Sequence, residues 1–335
     1  MKKPIASLLA LALLAGCQTD VEVPEPAHTP RLVLTYTLSN RPSFQEFPPA
    51  FIDANEYLSY SRLPAVTASR SVFDSGGFVG RTDATIEISD ASGNVVERFE
   101  PAPKPEYVYN YNPGDYLPTR GLVGQPGATY SLRAAAPGLE TVESTLTLPA
   151  LPVIARATFV RQTGGDGASS DKVKGHLTIT IADNAATTDY YLVFASVVDG
   201  QGDGRAVDIL EKENGLIPVT GNRFRLSHGG YYRRASGLYP YPDTDVNGQR
   251  FGLSADIEYP TSCSDGGLPC PAPPYLDVTV SSITAATYNF LQSQRRRDNT
   301  RDNPFAEPAP LVSNIRHGYG VFGGATDANI RIPIL

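Results

Sequence analysis

The sequence predicts an all-β protein: an N-terminal immunoglobulin-like β-sandwich followed by a second β-rich domain with one late helix. Three observations carry this. Short runs rich in β-branched and aromatic residues alternate with a period of two. Thirty glycines and twenty-nine prolines punctuate those runs at turn spacing. Hydrophobic residues make up 41% of the chain, enough to bury a core.

The chain opens with Lys2 and Lys3, and Ile5 through Leu14 is apolar apart from Ser7. That run is too short to cross a bilayer core of ~30 Å as a helix and reads as the h-region of a signal peptide over 1–16. It ends in Leu14-Ala15-Gly16-Cys17, which matches the lipobox of lipoprotein signal peptides. Small residues before the cysteine let a peptidase grip extended backbone, and the Cys17 thiol is the expected acceptor of diacylglycerol. The acyl chains then anchor the protein, each buried methylene contributing ~0.8 kcal/mol. Residues 17–30 alternate acids and prolines (Glu22, Pro24, Glu25, Pro26) and read as an extended, solvated tether. No later run approaches eighteen apolar residues.

From Arg31 the strand period begins. Leu32–Leu38 and Thr85–Ile88 are strand-like, and Asp90-Ala91-Ser92-Gly93-Asn94 is a hairpin turn into Val95–Phe99. Gly127–Arg133 and Glu143–Leu148 bracket a Pro137-Gly138 turn. Several strands at this spacing over 31–150 describe a sandwich of immunoglobulin-like size. The insert from Asn40 to Arg81 is poorly specified and reads as loops. Pro149–Pro152 marks a boundary, and 151–335 forms the second domain. Its expected strands are Ala155–Arg161, Gly175–Ala182, Tyr190–Val198, Phe224–Leu226, Leu253–Tyr259 and Leu276–Ser282. A helix follows over 284–297, with Ser282 as cap and Ile283, Thr287, Tyr288 and Leu291 on one face.

The formal net charge of −7, which falls to −9 once Lys2 and Lys3 leave with the signal peptide, argues against a nucleic-acid partner. No glycine-rich phosphate loop leads from a strand into a helix, which argues against a nucleotide, and no cofactor motif occurs. Neither a His-Glu-x-x-His nor a Gly-x-Ser-x-Gly motif is present. Ser227-His228 with Asp256 is the nearest thing to a triad, and the expectation is that the protein is not an enzyme. Cys263 and Cys270 enclose Ser-Asp-Gly-Gly-Leu-Pro and suit a small disulfide loop in an oxidising compartment. Asp243, Asp245 and Asn247 match the opening half of a calcium-binding loop. The twelfth position, however, is Ser254, and Asn247-Gly248 equally suits a type I′ hairpin turn. Tyr109, Tyr111, Tyr232 and Tyr241 lie in Tyr clusters with Pro, Gly and Asn, a composition that suits either half-buried sheet or a partner surface. Arg295-Arg296-Arg297 reads as a solvated helix end whose cations offset the macrodipole.

The closing run is the most distinctive: Asn303-Pro304-Phe305-Ala306-Glu307-Pro308, then Ser313-Asn314-Ile315, then Gly318-Tyr319-Gly320-Val321-Phe322-Gly323-Gly324. Phe305 is expected to anchor in the core, and the glycines to permit tight backbone. With the lipobox, Arg31–Leu34, Asp83–Ile86 and Pro126–Leu132, this run resembles a Bacteroidota lipoprotein family catalogued as domain of unknown function 4249. The acids close to Cys17 also resemble the surface-export signal of Bacteroidota lipoproteins. These resemblances imply an outer-membrane lipoprotein, lipid-anchored and facing the cell exterior. They further imply an accessory role beside a TonB-dependent receptor in substrate uptake, and they carry over no catalytic residue. The alternatives are a structural or adhesive surface lipoprotein and, behind it, a hydrolase with an unrecognised site.

Overall fold

The computed structural model describes residues 27–42, 63–71, 74, 76–103, 113–162, 172–198, 204–210, 225–227, 238–260, 273–301 and 309–334. The described residues are mostly β, with one α-helix late in the chain. β1 (Leu32–Ser39) and β2 (Ala65–Ala68) come first, so the insert expected to be loops supplies a strand. β3 (Thr85–Asp90), β4 (Val95–Pro101), β5 (Tyr116–Pro118), β6 (Thr129–Ala135) and β7 (Val142–Thr147) follow. They form a five-stranded antiparallel sheet in the order β5-β4-β3-β6-β7. Period-two patterning determines their faces: in β7, Val142, Ser144 and Leu146 are buried while Glu143, Thr145 and Thr147 are exposed. At the β3–β4 hairpin, Asp90 Oδ1 accepts from the Ser92 and Asn94 N–H groups, and Gly93 supplies the positive φ.

Beyond Pro149 lie β8 (Val153–Arg161), β9 (Lys172–Ala182), β10 (Tyr190–Val198), β11 (Gly204–Ala206), β12 (Asp208–Ile209) and β13 (Tyr241–Pro242). β14 (Arg250–Pro260), β15 (Tyr275–Ile283), α1 (Ala285–Arg301) and β16 (Tyr319–Pro333) complete the chain. A four-stranded sheet runs β12-β14-β9-β8. Arg225–Leu226 does not form the expected strand; Ser227 instead donates its N–H to the Val193 carbonyl, 2.7 Å, at the side of β10. α1 extends to Arg301, four residues past the expected end. Its cap is Thr284 rather than Ser282: Thr284 Oγ1 accepts from the Thr287 N–H, while Ser282 stays in β15.

The third sheet joins the two regions. It has seven strands, in the order β11-β10-β15-β16-β1-β2 with β13 also on β10. β16 makes this possible because it changes partners along its length. Tyr319–Ala325 pair in parallel with β1, and Ala325–Pro333 pair antiparallel with β15. Phe322 therefore enters the first core, with Leu34, Tyr36, Ile86, Ile88 and Leu132, and stacks on Tyr36 at 5.8 Å. Ile332 enters the second core, with Leu177, Ile179, Val193, Leu253 and Val278. Two sandwiches thus lie side by side on one face of the long sheet. α1 packs against the other face, where Leu192, Phe194, Ile283, Leu291 and Ala325 are buried together.

Where β16 changes partners, each half has an edge without a neighbouring strand, and side-chain amides fill it. Asn314 donates to the Phe322 carbonyl at 2.8 Å and accepts from the Phe322 N–H at 2.9 Å. Asn40 does the same for Asp327, at 3.0 and 2.8 Å. Each amide imitates a peptide group of a missing strand, so the backbone is satisfied. The glycines in this run serve different ends. Gly320 has φ +110, and a side chain there would overlap the Leu34 carbonyl. Gly323 and Gly324 do not need positive φ; they admit α1, since a Cβ on either would press on Thr287 or Thr284. Phe305 lies outside the described residues.

Candidate functional site

Among the described residues, three carboxylates converge where β9 ends, β10 begins and β13 meets β10. Asp183 follows β9, Asp189 precedes β10, and Asp243 follows β13; their carboxylate oxygens all lie within 4.8 Å of one another. Asp243 is 1% exposed and opens a single 3-10 turn, Asp243–Asp245. Local bonds hold the three in place. The Asp189 N–H donates to Asp243 Oδ2 at 2.7 Å, and the Asp243 N–H donates to the Asp189 carbonyl at 3.0 Å. Asp183 accepts from the Tyr191 hydroxyl at 2.6 Å and from the Gly248 N–H at 2.7 Å. Thr187 Oγ1 donates to Asp189 at 2.6 Å.

Burial raises the Asp189 and Asp243 carboxyls above the ordinary 3.8, and the neighbouring carboxylates push the same way. Burial, followed by the bond to Asp183, raises the Tyr191 hydroxyl as well. Three acids this close either share a proton or accept a hard cation through oxygen ligands. Of the residues singled out in the sequence, only Asp243 takes part; Asp245 and Asn247 are exposed and do not converge on it. The turn itself is not type I′, because Gly248 has positive φ and Asn247 does not. Asp183 and Asp189 carry no local motif, so sequence proximity could not have found them.

Two concavities accompany the cluster. A cavity of about 160 Å³ lies between α1 and the long sheet, with Leu192, Leu238, Phe290 and Val321 among its apolar walls and Thr35 and Gln294 as polar ones. An open groove of about 490 Å³ crosses the outer face of the four-stranded sheet beside Arg161, His176 and Asp256. There His176 Nδ1 lies 2.7 Å from Asp256 Oδ1 across the β9–β14 register. Asp256 is thus paired with a histidine that the triad reading did not use. Ser227 Oγ accepts from the Tyr239 N–H, and His228 lies outside the described residues.

The remaining candidates divide similarly. Tyr241 is half-buried, pairs with Tyr191 in the β10–β13 register and packs on Phe251 at 5.8 Å, as a core contact does. Tyr109, Tyr111, Tyr232, Cys17, Cys263 and Cys270 lie outside the described residues. Arg295, in the second half of α1, stands over the Tyr239 ring at 5.2 Å, and Arg296 and Arg297 are exposed.

Among the described residues no helix is long and apolar enough to cross a membrane. Residues 1–18 match the prokaryotic membrane lipoprotein lipid attachment site. Class follows from these findings and the fold: this is a membrane-anchored lipoprotein whose body is built of β-sandwiches. The chain belongs to the family described as a domain of unknown function (DUF4249), whose model matches residues 64–331. No curated protein matches it. A solved structure titled biofilm associated protein, B domain, aligns over 90% of this chain and 88% of its own. The identity is 7% and the TM-score 0.13, too low to carry an argument.

Proposed function

We propose that this lipoprotein sits on the outer membrane facing the cell exterior and acts by binding rather than catalysis. In this reading it is an accessory to a TonB-dependent transporter in substrate uptake. The observation that carries the reading is the lipid attachment site over 1–18, followed by an acidic, proline-rich stretch that suits a solvated tether. The resemblance to a family of outer-membrane lipoproteins beside TonB-dependent receptors supports the partner. Acids close to Cys17 support the exterior face.

The test is extraction of the tagged, lipidated protein in mild detergent, followed by affinity capture. A TonB-dependent receptor is expected in near-equal amount. Recovery of the lipoprotein alone, under conditions that keep such receptors soluble, overturns the partnership. Cys17→Ser separates anchoring from partnership: it should abolish palmitate incorporation and release the protein from the membrane fraction.

A further inference from the structure

The two most exposed large apolar side chains among the described residues are sequence neighbours, Phe78 at 75% and Val79 at 68%. They stand in Gly76-Gly77-Phe78-Val79-Gly80, and the pairing around them fixes their place. Ser69 donates its N–H to the Arg31 carbonyl at 2.8 Å, and Leu32 faces Ala68, so the end of β2 lies beside the start of β1. Gly80 bridges antiparallel to Thr67, and the Arg81 N–H donates to the Val66 carbonyl. Stepping back from Gly80 along that antiparallel course places Val79 and Phe78 level with Ala68 and Ser69, at the same end of the sheet as Arg31 but on the opposite edge of β2. The Arg70 guanidinium bonds the Gly77 carbonyl and the Asp74 carboxylate, which holds the loop on this end of the sheet.

This is the end from which the chain runs back toward its lipid attachment site. Between Cys17 and Ala27 the backbone spans at most about 35 Å even when fully extended, so an acylated Cys17 keeps this end near the bilayer. Tyr319, 46% exposed, faces Val33 on the same end, with the Arg31 guanidinium 5.8 Å above its ring. Adjacent exposed apolar side chains, a tyrosine and arginines together suit a lipid headgroup boundary. Rings and aliphatic groups enter the acyl border there, while guanidinium groups meet phosphate. A monomer facing water on all sides gains nothing by presenting Phe78 and Val79.

We infer that the Phe78–Val79 loop is a second, non-covalent contact with the anchoring membrane, inserting at its headgroup boundary with Arg31 toward the lipid phosphates. The contact orients the body relative to the bilayer and rests on lipid attachment, not on the transporter reading.

The chain contains no tryptophan, so one introduced indole reports its own surroundings. Lipidated Phe78→Trp protein is reconstituted into phosphatidylethanolamine–phosphatidylglycerol vesicles, with and without brominated acyl chains. Val160→Trp, at a 66% exposed position on β8 of the other sandwich, is the reference. The expected result is blue-shifted emission from Phe78→Trp and severalfold stronger quenching by brominated lipid than for Val160→Trp. Equal quenching of the two overturns the proposal. So does a blue shift without brominated-lipid quenching, which would place the ring against protein, such as a second copy.

Discussion

Glu97 in the first sandwich and Asp243 in the second are almost equally inaccessible, at 0% and 1% exposure, yet they are accommodated in opposite ways. Glu97 Oε1 accepts from the N–H groups of Arg98, Thr119 and Arg120 and from the Thr119 hydroxyl, and Oε2 accepts from the Leu122 N–H. One carboxylate therefore replaces the missing partners of a whole loop. Asp243 has one backbone donor on Oδ2 and two other carboxylates within 4.8 Å. A buried acid surrounded by donors rigidifies its surroundings; a buried acid among acids stores repulsion that a proton or a cation can relieve.

The sharpest way to break this contrast is Glu97→Ala. It removes the acceptor shared by five donors, of which the Thr119 N–H keeps a second one in the Arg98 carbonyl, and is expected to cost ~3–5 kcal/mol, the range for removing one side of a buried charged network. Urea unfolding measures it. A loss below about 1 kcal/mol would mean water replaces the carboxylate and the contrast fails. Glu97→Gln keeps an acceptor oxygen and should cost less, about 1–3 kcal/mol.

In the other region the sign reverses. Asp243→Asn keeps an oxygen for the Asp189 N–H but removes a charge from the cluster. In chelator at neutral pH it should leave stability unchanged or raise it by no more than about 1 kcal/mol. Calcium that stabilises the native protein but not this variant would show that a cation relieves the repulsion. The smallest effect is the pH dependence. Asp189 and Asp243 have folded-state values raised above the ordinary 3.8 by burial, so the folded state holds their protons more tightly than the unfolded chain does. Their contribution is fully present below 3.8 and is lost as pH rises through the raised folded values. In chelator, native minus Asp243→Asn stability should therefore decline with rising pH across that window. A rising difference would contradict the assignment.

The all-β class and most strands were legible because each depends on its own alternation. β7 and β9 show it directly, since alternate side chains are buried. Glu97 was legible too: it is in phase with buried Phe99 on β4, an acid on an apolar face, but its role was not recognised. What local pattern could not convey is partnership at long range. Asp183 and Asp189 meet Asp243 across more than fifty residues, as the Asp189–Asp243 bond shows with a separation of 54. The calcium-loop reading instead favoured Asp245 and Asn247, which are near in sequence and turned outward. The β1–β16 pairing was invisible for the same reason, and with it the reason for Asn40, Asn314 and Gly320.

Because β1 pairs with Tyr319–Ala325 and Tyr36 stacks on Phe322, the earliest strand to emerge waits for the latest. The closure joins segments nearly the whole chain apart, and contacts of such separation form slowly because loop closure must precede their reward. The first sandwich cannot complete its core until β16 joins β1, so the topology itself holds the N-terminal half open until strands on both sides of the second sandwich are in place.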